Sequence, residues 1–245
     1  MKKIHKTILI LFIILFGLGT IFPLFHSGFF EVHDNTQVER VYQMGVSLAD
    51  KSFPVRWVPD LGYGYGYPIF NFYAPLPYYV GGILFISGIG ALFATKIMFG
   101  LGILLSGISM YFLTKKFFGV GPGVVGSVIY MYFPYHAVNI YVRGAVGEFF
   151  AYAAIPLIFL GLFQFVENRK ATLVTSENFR TVVLTSFAIF LVAISHNLSI
   201  FMFLILLVPF IVISLFVIRN KRNFLLLSGT SIVIGFMLSA FYILP

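Results

Sequence analysis

The chain contains no cysteine, which excludes a disulfide framework, a thiolate metal site and a thiol nucleophile, and says nothing about compartment. Charge is scarce as well. Only 10% of the 245 residues are charged and only eight are acidic, too few to cover the surface of a water-soluble domain of this size. The five histidines show no HxH or HExxH spacing, so a histidine zinc site is unsupported and no cofactor is specified. Also missing is the regular polar and apolar alternation that membrane-spanning strands require. What remains is hydrocarbon: 60% of residues are hydrophobic and the mean hydropathy is +0.99. In lipid the backbone must satisfy its own hydrogen bonds, so runs this continuous imply helices. The expected fold class is all-α, a polytopic integral membrane protein forming a single transmembrane domain over residues 1–245.

Apolar runs predict helices over Ile8 to Phe25, Pro77 to Thr95, Ile97 to Thr114, Val120 to Tyr135, Phe149 to Val166, Val182 to Ser195, Ser199 to Ile218 and Phe224 to Leu244. The first run follows Lys2, Lys3 and Lys6 like a secretory signal, but it exceeds the usual apolar length and no small-x-small cleavage site follows. It is kept as a span. Basic residues cluster in four short segments: the N-terminus, Lys115 with Lys116, Arg169 with Lys170 and Arg180, and Arg219 with Lys221 and Arg222. By the positive-inside rule these are cytoplasmic, as is the N-terminus, and Glu31, Asp34, Glu39, Asp50, Asp60 and Glu148 face the other side. Bases that flank apolar spans without forming a continuous patch exclude a nucleic-acid partner.

Eight full crossings violate this charge partition, so one run must not span. Pro77 to Thr95, with Gly81, Gly82, Gly88 and Gly90, is assigned as a re-entrant or surface-lying hairpin, leaving about seven crossings and an external loop over about residues 26–95. Within that loop Gln37 to Asp50 has helical periodicity, with Val38, Val41, Tyr42, Gly45, Leu48 and Ala49 on one face and Glu39, Arg40, Gln43, Ser47 and Asp50 on the other. Asp34 to Thr36 offer its N-cap. Such a helix lies in the membrane interface or packs on its own protein. Asp34 is held between it and the first span.

The stretch Asp60 to Tyr79 is rich in aromatics and turn formers. Its glycines 62, 64 and 66 lack the following helix that a phosphate loop requires. Tyrosines such as Tyr63 and Tyr65 belong either to an interfacial aromatic belt or to a stacking surface for a sugar. Arg143 and Glu148, separated by Gly144 and Gly147, sit between two spans. Charges beside hydrocarbon usually face a cavity, although a salt bridge that only fixes helix ends explains them too. Ser195-His196-Asn197 falls at a span end on the same face, where a histidine is either a structural hydrogen-bonding residue or a site residue; His136 is read the same way.

These residues resemble the N-terminal half of a GT-C glycosyltransferase, the polytopic enzymes that use polyprenyl-phosphate sugar donors. Asp34 matches the first external acid, and Arg143 to Glu148 resembles the arginine-glycine-acid stretch of oligosaccharyltransferase catalytic subunits. The succession His33-Asp34-Asn35, Gly62-Tyr63-Gly64, Arg143-Gly144 to Glu148, Ser195-His196-Asn197 and Ala240 to Pro245 is similar to prokaryotic membrane proteins labelled 6-pyruvoyl-tetrahydropterin synthase-related. That label implies no activity, since a pterin synthase needs a soluble fold and clustered zinc histidines.

The resemblance implies sugar transfer from a polyprenyl-phosphate donor at the extracytoplasmic face of a prokaryotic plasma membrane. Asp34 is then the general base. Arg143, with His196, stabilises the phosphate, Glu148 orients the acceptor or ligates a cation, and Asn197, Arg40, Tyr63 and Tyr65 bind substrate. The second acid lacks the paired carboxylates that hold a metal in the oligosaccharyltransferases. The implied partners are the lipid-linked donor and membrane lipid. A flippase or transporter, and a non-catalytic protein of envelope polysaccharide assembly, are the alternatives. A chain that stops inside an apolar run is also expected to be a fragment.

Overall fold

The computed structural model describes residues 2–29, 31–167 and 175–244, with side chains from residue 7 onward. The expected basic pair Arg169 and Lys170, and Pro245, lie outside the described residues. Helix α1 (Lys2–Ile21) continues into a 3-10 turn at Phe22–Phe25. The segment expected to form the external loop folds into α2 (Gln37–Ala49), α3 (Ile69–Phe72) and α4 (Leu76–Ile86). A hairpin of α5 (Ala91–Phe118) and α6 (Val120–Met131) follows. Helix α7 (Pro134–Val138) and a wide π turn (Asn139–Arg143) lead into α8 (Val146–Glu167). Helices α9 (Ser176–Ala193), α10 (Asn197–Val217), α11 (Lys221–Leu238) and α12 (Ala240–Ile243) complete the order. Among the described residues extended pairing is limited to one bridge, Val58 with Tyr67.

Five helical segments are long and apolar enough to cross a bilayer: Thr7–Phe25, α5, α8, α9 and α10. The expected run over Pro77 to Thr95 is split. Helix α4 has 11 residues, about 16 Å at 1.5 Å per residue and too short to cross. Ala91 to Thr95 belong instead to the first turn and a half of α5, so the loop expected over about residues 26–95 ends at Gly90. Helix α6, at 12 residues, is likewise short of a full crossing.

Cross-helix contacts fix direction. Gly17 of α1 meets Leu104 of α5, and Gly100 meets Ile21, so these helices are antiparallel. Helices α5 and α8 run parallel, with Phe99 against Phe149 at one end and Lys116 paired to Glu167 at 2.6 Å at the other. Helix α9 returns antiparallel to α8, since Thr181 donates to Gln164 and Gly147 abuts Ser195. Small residues let these helices approach closely: Gly102 faces Phe149, and Gly161 faces Thr185. Pro156 inside α8 leaves the Tyr152 carbonyl without its helical donor, and the Tyr130 hydroxyl takes that place at 3.3 Å.

These directions gather the C-terminal ends of α1, α9 and α11 and the N-terminal ends of α5, α8 and α10 at one end of the bundle. Lys115, Lys116, Arg180, Arg219, Lys221 and Arg222 lie at the other. Helices α2 and α4 cover the first end. The face of α2 that is buried differs from the expected apolar one: Gln37, Gln43 and Ser47 are buried with Val41 and Met44, whereas Tyr42 is exposed. The polar members find partners there, since Gln43 donates to Glu39 and Asp60. Thr36 occupies the N-cap position without a capping bond and instead donates to Asp34.

Candidate functional site

Three sequence-distant segments meet at the covered end of the bundle. His33 N–H donates to the Val142 carbonyl at 2.9 Å and Asp34 N–H to the Arg143 carbonyl at 3.0 Å, which lays the segment after α1 alongside the π turn. The π turn ends at Gly144, whose φ is +68°, a left-handed conformation that costs any residue with a Cβ. Space forbids one too: a Cβ at Gly144 falls 2.9 Å from the Asp34 carbonyl oxygen and 2.8 Å from Val32 Cγ2. At Gly147 a Cβ falls 2.5 Å from the Ser195 carbonyl oxygen. The two glycines of the Arg143 to Glu148 stretch are therefore the points at which the Asp34 segment and the Ser195 to Asn197 turn dock.

The junction encloses an open cavity of about 500 Å³ lined by His33, Asp34, Tyr73, Arg143, Glu148, His196 and Asn197 among others. Asp34 Oδ2 accepts from Gln37 Nε2 (3.0 Å), Arg40 Nη1 (2.7 Å) and the Tyr73 hydroxyl (3.1 Å), while among the described residues Oδ1 accepts a single bond, from Thr36 (2.9 Å). Behind it Gln37 also donates to the Gly144 carbonyl at 2.7 Å and accepts from Tyr78 at 2.8 Å. The Arg40 guanidinium stacks 4.0 Å over the Tyr73 ring. Burial works against the charge on Arg40, but Tyr78 and Asp34 outweigh it and hold its pKa above the ordinary value.

Glu148 is more enclosed. Its Oε1 meets Arg143 Nη1 at 2.7 Å. Its Oε2 accepts from Tyr152 at 2.8 Å, Asn139 at 2.9 Å and Tyr135 at 3.3 Å. Arg143 Nη1 is shared further with Asn139 Oδ1 (2.6 Å) and the Tyr135 hydroxyl (2.8 Å). Its Nη2 and Nε have no acceptor among the described residues, and the side chain is 38% exposed. Burial opposes the charge on Arg143 as well, and Glu148 more than compensates, so its pKa lies above the ordinary value. The structure thus sets a half-exposed cation with free N–H groups at the cavity wall.

Burial lowers the pKa of His196, Glu148 opposing this and Arg143 adding to it, which disfavours its cationic form, and its Nδ1 is engaged with Ser199 Oγ at 2.9 Å. Asn197 lines the cavity, but its amide ties the structure together: Nδ2 donates to the Phe72 carbonyl at 2.9 Å and Oδ1 accepts from Tyr242 at 2.6 Å. Tyr63 and Tyr65 do not line the cavity. Both are almost fully exposed on the loop closed by the Val58 and Tyr67 bridge. His136 also stays out of the cavity, buried face to face with the Tyr152 ring.

Gln37, Tyr73, Tyr78, Asn139 and Tyr152 were not singled out in the sequence. Asn139, one helical turn before Arg143 in Asn139-Ile-Tyr-Val-Arg143, carried a usable signal, because a polar amide beside an apolar run requires a partner. Among the described residues no group of three or more His, Asp or Glu side chains converges as a metal site.

Residues 70–245 match the model of a membrane-protein family described as the 6-pyruvoyl-tetrahydropterin synthase related domain. The chain belongs to that family. Arg143, Glu148, His196 and Asn197 fall inside the matched range, and Asp34, Gln37 and Arg40 precede it. No curated protein and no solved structure matches the chain. For this member of the 6-pyruvoyl-tetrahydropterin synthase related family, function is therefore argued from the cavity itself.

Proposed function

We propose that the chain is a membrane glycosyltransferase that moves a sugar from a polyprenyl-phosphate donor to an acceptor at the extracytoplasmic face. The observation that carries this reading is that one cavity is lined both by Asp34, whose Oδ1 accepts only from Thr36 among the described residues, and by Arg143, whose Nη2 and Nε have no acceptor among them. The basic clusters at the far end of the bundle support an outward-facing cavity.

In this mechanism Asp34 Oδ1 takes the proton of an acceptor hydroxyl as its oxygen attacks the anomeric carbon. The bond from that carbon to the phosphate oxygen breaks on the opposite side, with inversion. Arg40, Gln37 and Tyr73 fix the carboxylate by occupying Oδ2. The departing phosphate is received by Arg143 through charge-assisted hydrogen bonds. Glu148, whose side chain is 8% exposed against 26% for Asp34 and is ion-paired to Arg143, is a positioning residue that holds the guanidinium, rather than a ligand of the acceptor. His196 contributes a neutral hydrogen-bonding group.

Binding of a polyprenyl phosphate to the full-length protein in nanodiscs tests the anion site. Arg143→Lys keeps a charge but loses the planar fork, and is expected to weaken binding about tenfold, corresponding to roughly 1.4 kcal/mol. Unchanged affinity in both Arg143→Lys and Arg143→Met places the phosphate elsewhere.

A further inference from the structure

Tyr63 and Tyr65 lie outside the cavity, on a loop built to hold them there. Val58 and Tyr67 exchange both backbone bonds, at 3.0 and 2.9 Å, and inside that bridge Gly66 N–H donates to the Leu61 carbonyl (2.9 Å) and Tyr65 N–H to that of Gly62 (3.1 Å). The base is fixed on three sides. Asp60 accepts from Gln43 of α2 at 2.9 Å, Val55 N–H donates to the Tyr79 hydroxyl of α4 at 2.9 Å, and Arg56 Nη2 donates to the Phe241 carbonyl of α12 at 2.8 Å. The loop therefore emerges beside the first turn of α4, at the end of the bundle where α11 stops. Its backbone turns the rings outward. Tyr63 has a φ of +60°, a region that a residue with a Cβ enters at a cost, and Tyr63 and Tyr65 are 102% and 88% exposed. Trp57 joins them: a Cβ at Gly66 would collide with its indole, so the ring lies on the backbone of the loop while staying 56% exposed.

What these rings face follows from three observations. From Leu61 to Thr95 the sequence contains no Asp, Glu, Lys, Arg or His, although Tyr63, Tyr65, Tyr67, Phe72, Ile83 and Ile86 are all exposed; exposed surface of this kind marks contact with a membrane or a partner. The exposed chemistry also changes between elements. Helix α10 shows Phe201, Ile205, Val212 and Phe216 outward, as a span in hydrocarbon does, whereas the loop shows tryptophan and tyrosine, whose apolar rings end in an N–H or O–H that needs a polar partner. That combination belongs at headgroup level. Finally, rings that project this fully enclose no space for a small molecule such as a sugar, whose sites are concave. We infer that the Trp57 to Tyr67 loop is a lipid-surface anchor, its rings seated in the phospholipid headgroup layer at this end of the bundle. The chain runs on from Tyr67 through α3 to Phe72 and Tyr73 in the wall of the polar cavity, so the contact holds the mouth of that cavity at headgroup depth. It requires no transfer chemistry, and its failure would leave the proposed reaction untouched.

Trp57 is the only tryptophan in the chain, so its emission reports this loop alone. The test places the full chain in nanodiscs of phosphatidylcholine and phosphatidylglycerol, with a nitroxide carried either on the choline or near the end of an acyl chain. The choline nitroxide is expected to quench Trp57 at least about twofold more strongly than the chain-end nitroxide, and iodide in the water to quench it weakly. Strong quenching by iodide with little from either lipid label puts the loop in water and overturns the inference. Stronger quenching by the chain-end label overturns it as well, by placing the indole against the side of a span. Protection from all three quenchers assigns the loop to a protein contact, such as a second copy of the chain, and refutes it too.

A double variant, Tyr63→Ser with Tyr65→Ser, isolates the two tyrosines. Both side chains project from the fold, so an unchanged apparent Tm in detergent is expected and serves as the control. In nanodiscs the variant should lose about half of the choline-nitroxide quenching of Trp57 and gain quenching by iodide. Quenching identical to wild type shows that the tyrosines do not hold the loop in the headgroup layer and overturns the anchor.

Discussion

At the scale of single residues the site depends on what Gly144 and Gly147 lack. A Cβ at Gly144 meets the Asp34 carbonyl, which as backbone cannot rotate away, and its φ is unfavourable to other residues. Gly144→Ala is therefore expected to cost about 2 kcal/mol, combining left-handed strain with overpacking. The check is a lowered apparent Tm in detergent, set against Gly121→Ala, where a Cβ meets nothing within 4 Å and no loss is expected. The charged residues were legible in the sequence because Asp34, Arg143 and Glu148 are anomalies beside apolar runs. Their immediate partners were not. The chain has 14 tyrosines, and nothing local marks Tyr73, Tyr78 or Tyr152 as the ones that donate to carboxylates or stand behind them; that follows only from packing between segments far apart in sequence.

At the scale of elements, α2 was legible from its periodicity, whereas its buried face was not. Gln37 and Gln43 look solvent-facing until Gly144 and Asp60 arrive from distant segments to satisfy them. Helix α7 holds a further consequence. His136 is buried against Tyr130, Phe149 and Tyr152, its Nδ1 has no partner among the described residues, and burial depresses its pKa to about 4. The unfolded chain then binds a proton near pH 6.5 while the folded one resists it. Stability from this residue is full above pH 6.5 and declines as pH falls toward 4, by roughly 3 kcal/mol. Thermal unfolding of wild type between pH 7 and pH 4.5 should show this decline, and His136→Phe should flatten it. An unaltered slope in that variant would assign the acid sensitivity to other groups, His196 first among them.

At the scale of the whole molecule, composition alone pointed to a helical membrane protein, and the distribution of lysine and arginine predicts its orientation. The number of crossings was less legible because hydropathy does not distinguish an 11-residue helix capping the bundle from half of a span; α4 and the first turns of α5 read as one run. The absence of native cysteine makes orientation directly measurable. A single cysteine at Asn35 should react with an impermeant maleimide added outside intact cells, and one at Asn220, between α10 and α11, should react only after permeabilisation. The opposite pattern would turn the cavity toward the cytoplasm and exclude an extracytoplasmic reaction.

The proposed carboxylate-assisted transfer off a lipid phosphate rests on Asp34 and Arg143, whose segments are joined by the Asp34 N–H to Arg143 carbonyl bond beside Gly144. The most direct measurement is incubation of the full-length protein with a radiolabelled polyprenyl-phosphate sugar in native membranes, comparing wild type with Asp34→Asn. The expected result is transfer of label to a membrane acceptor with release of polyprenyl phosphate, reduced by at least about 100-fold in Asp34→Asn. Full activity in Asp34→Asn, or a donor that wild type leaves intact or only moves across the bilayer, would contradict it.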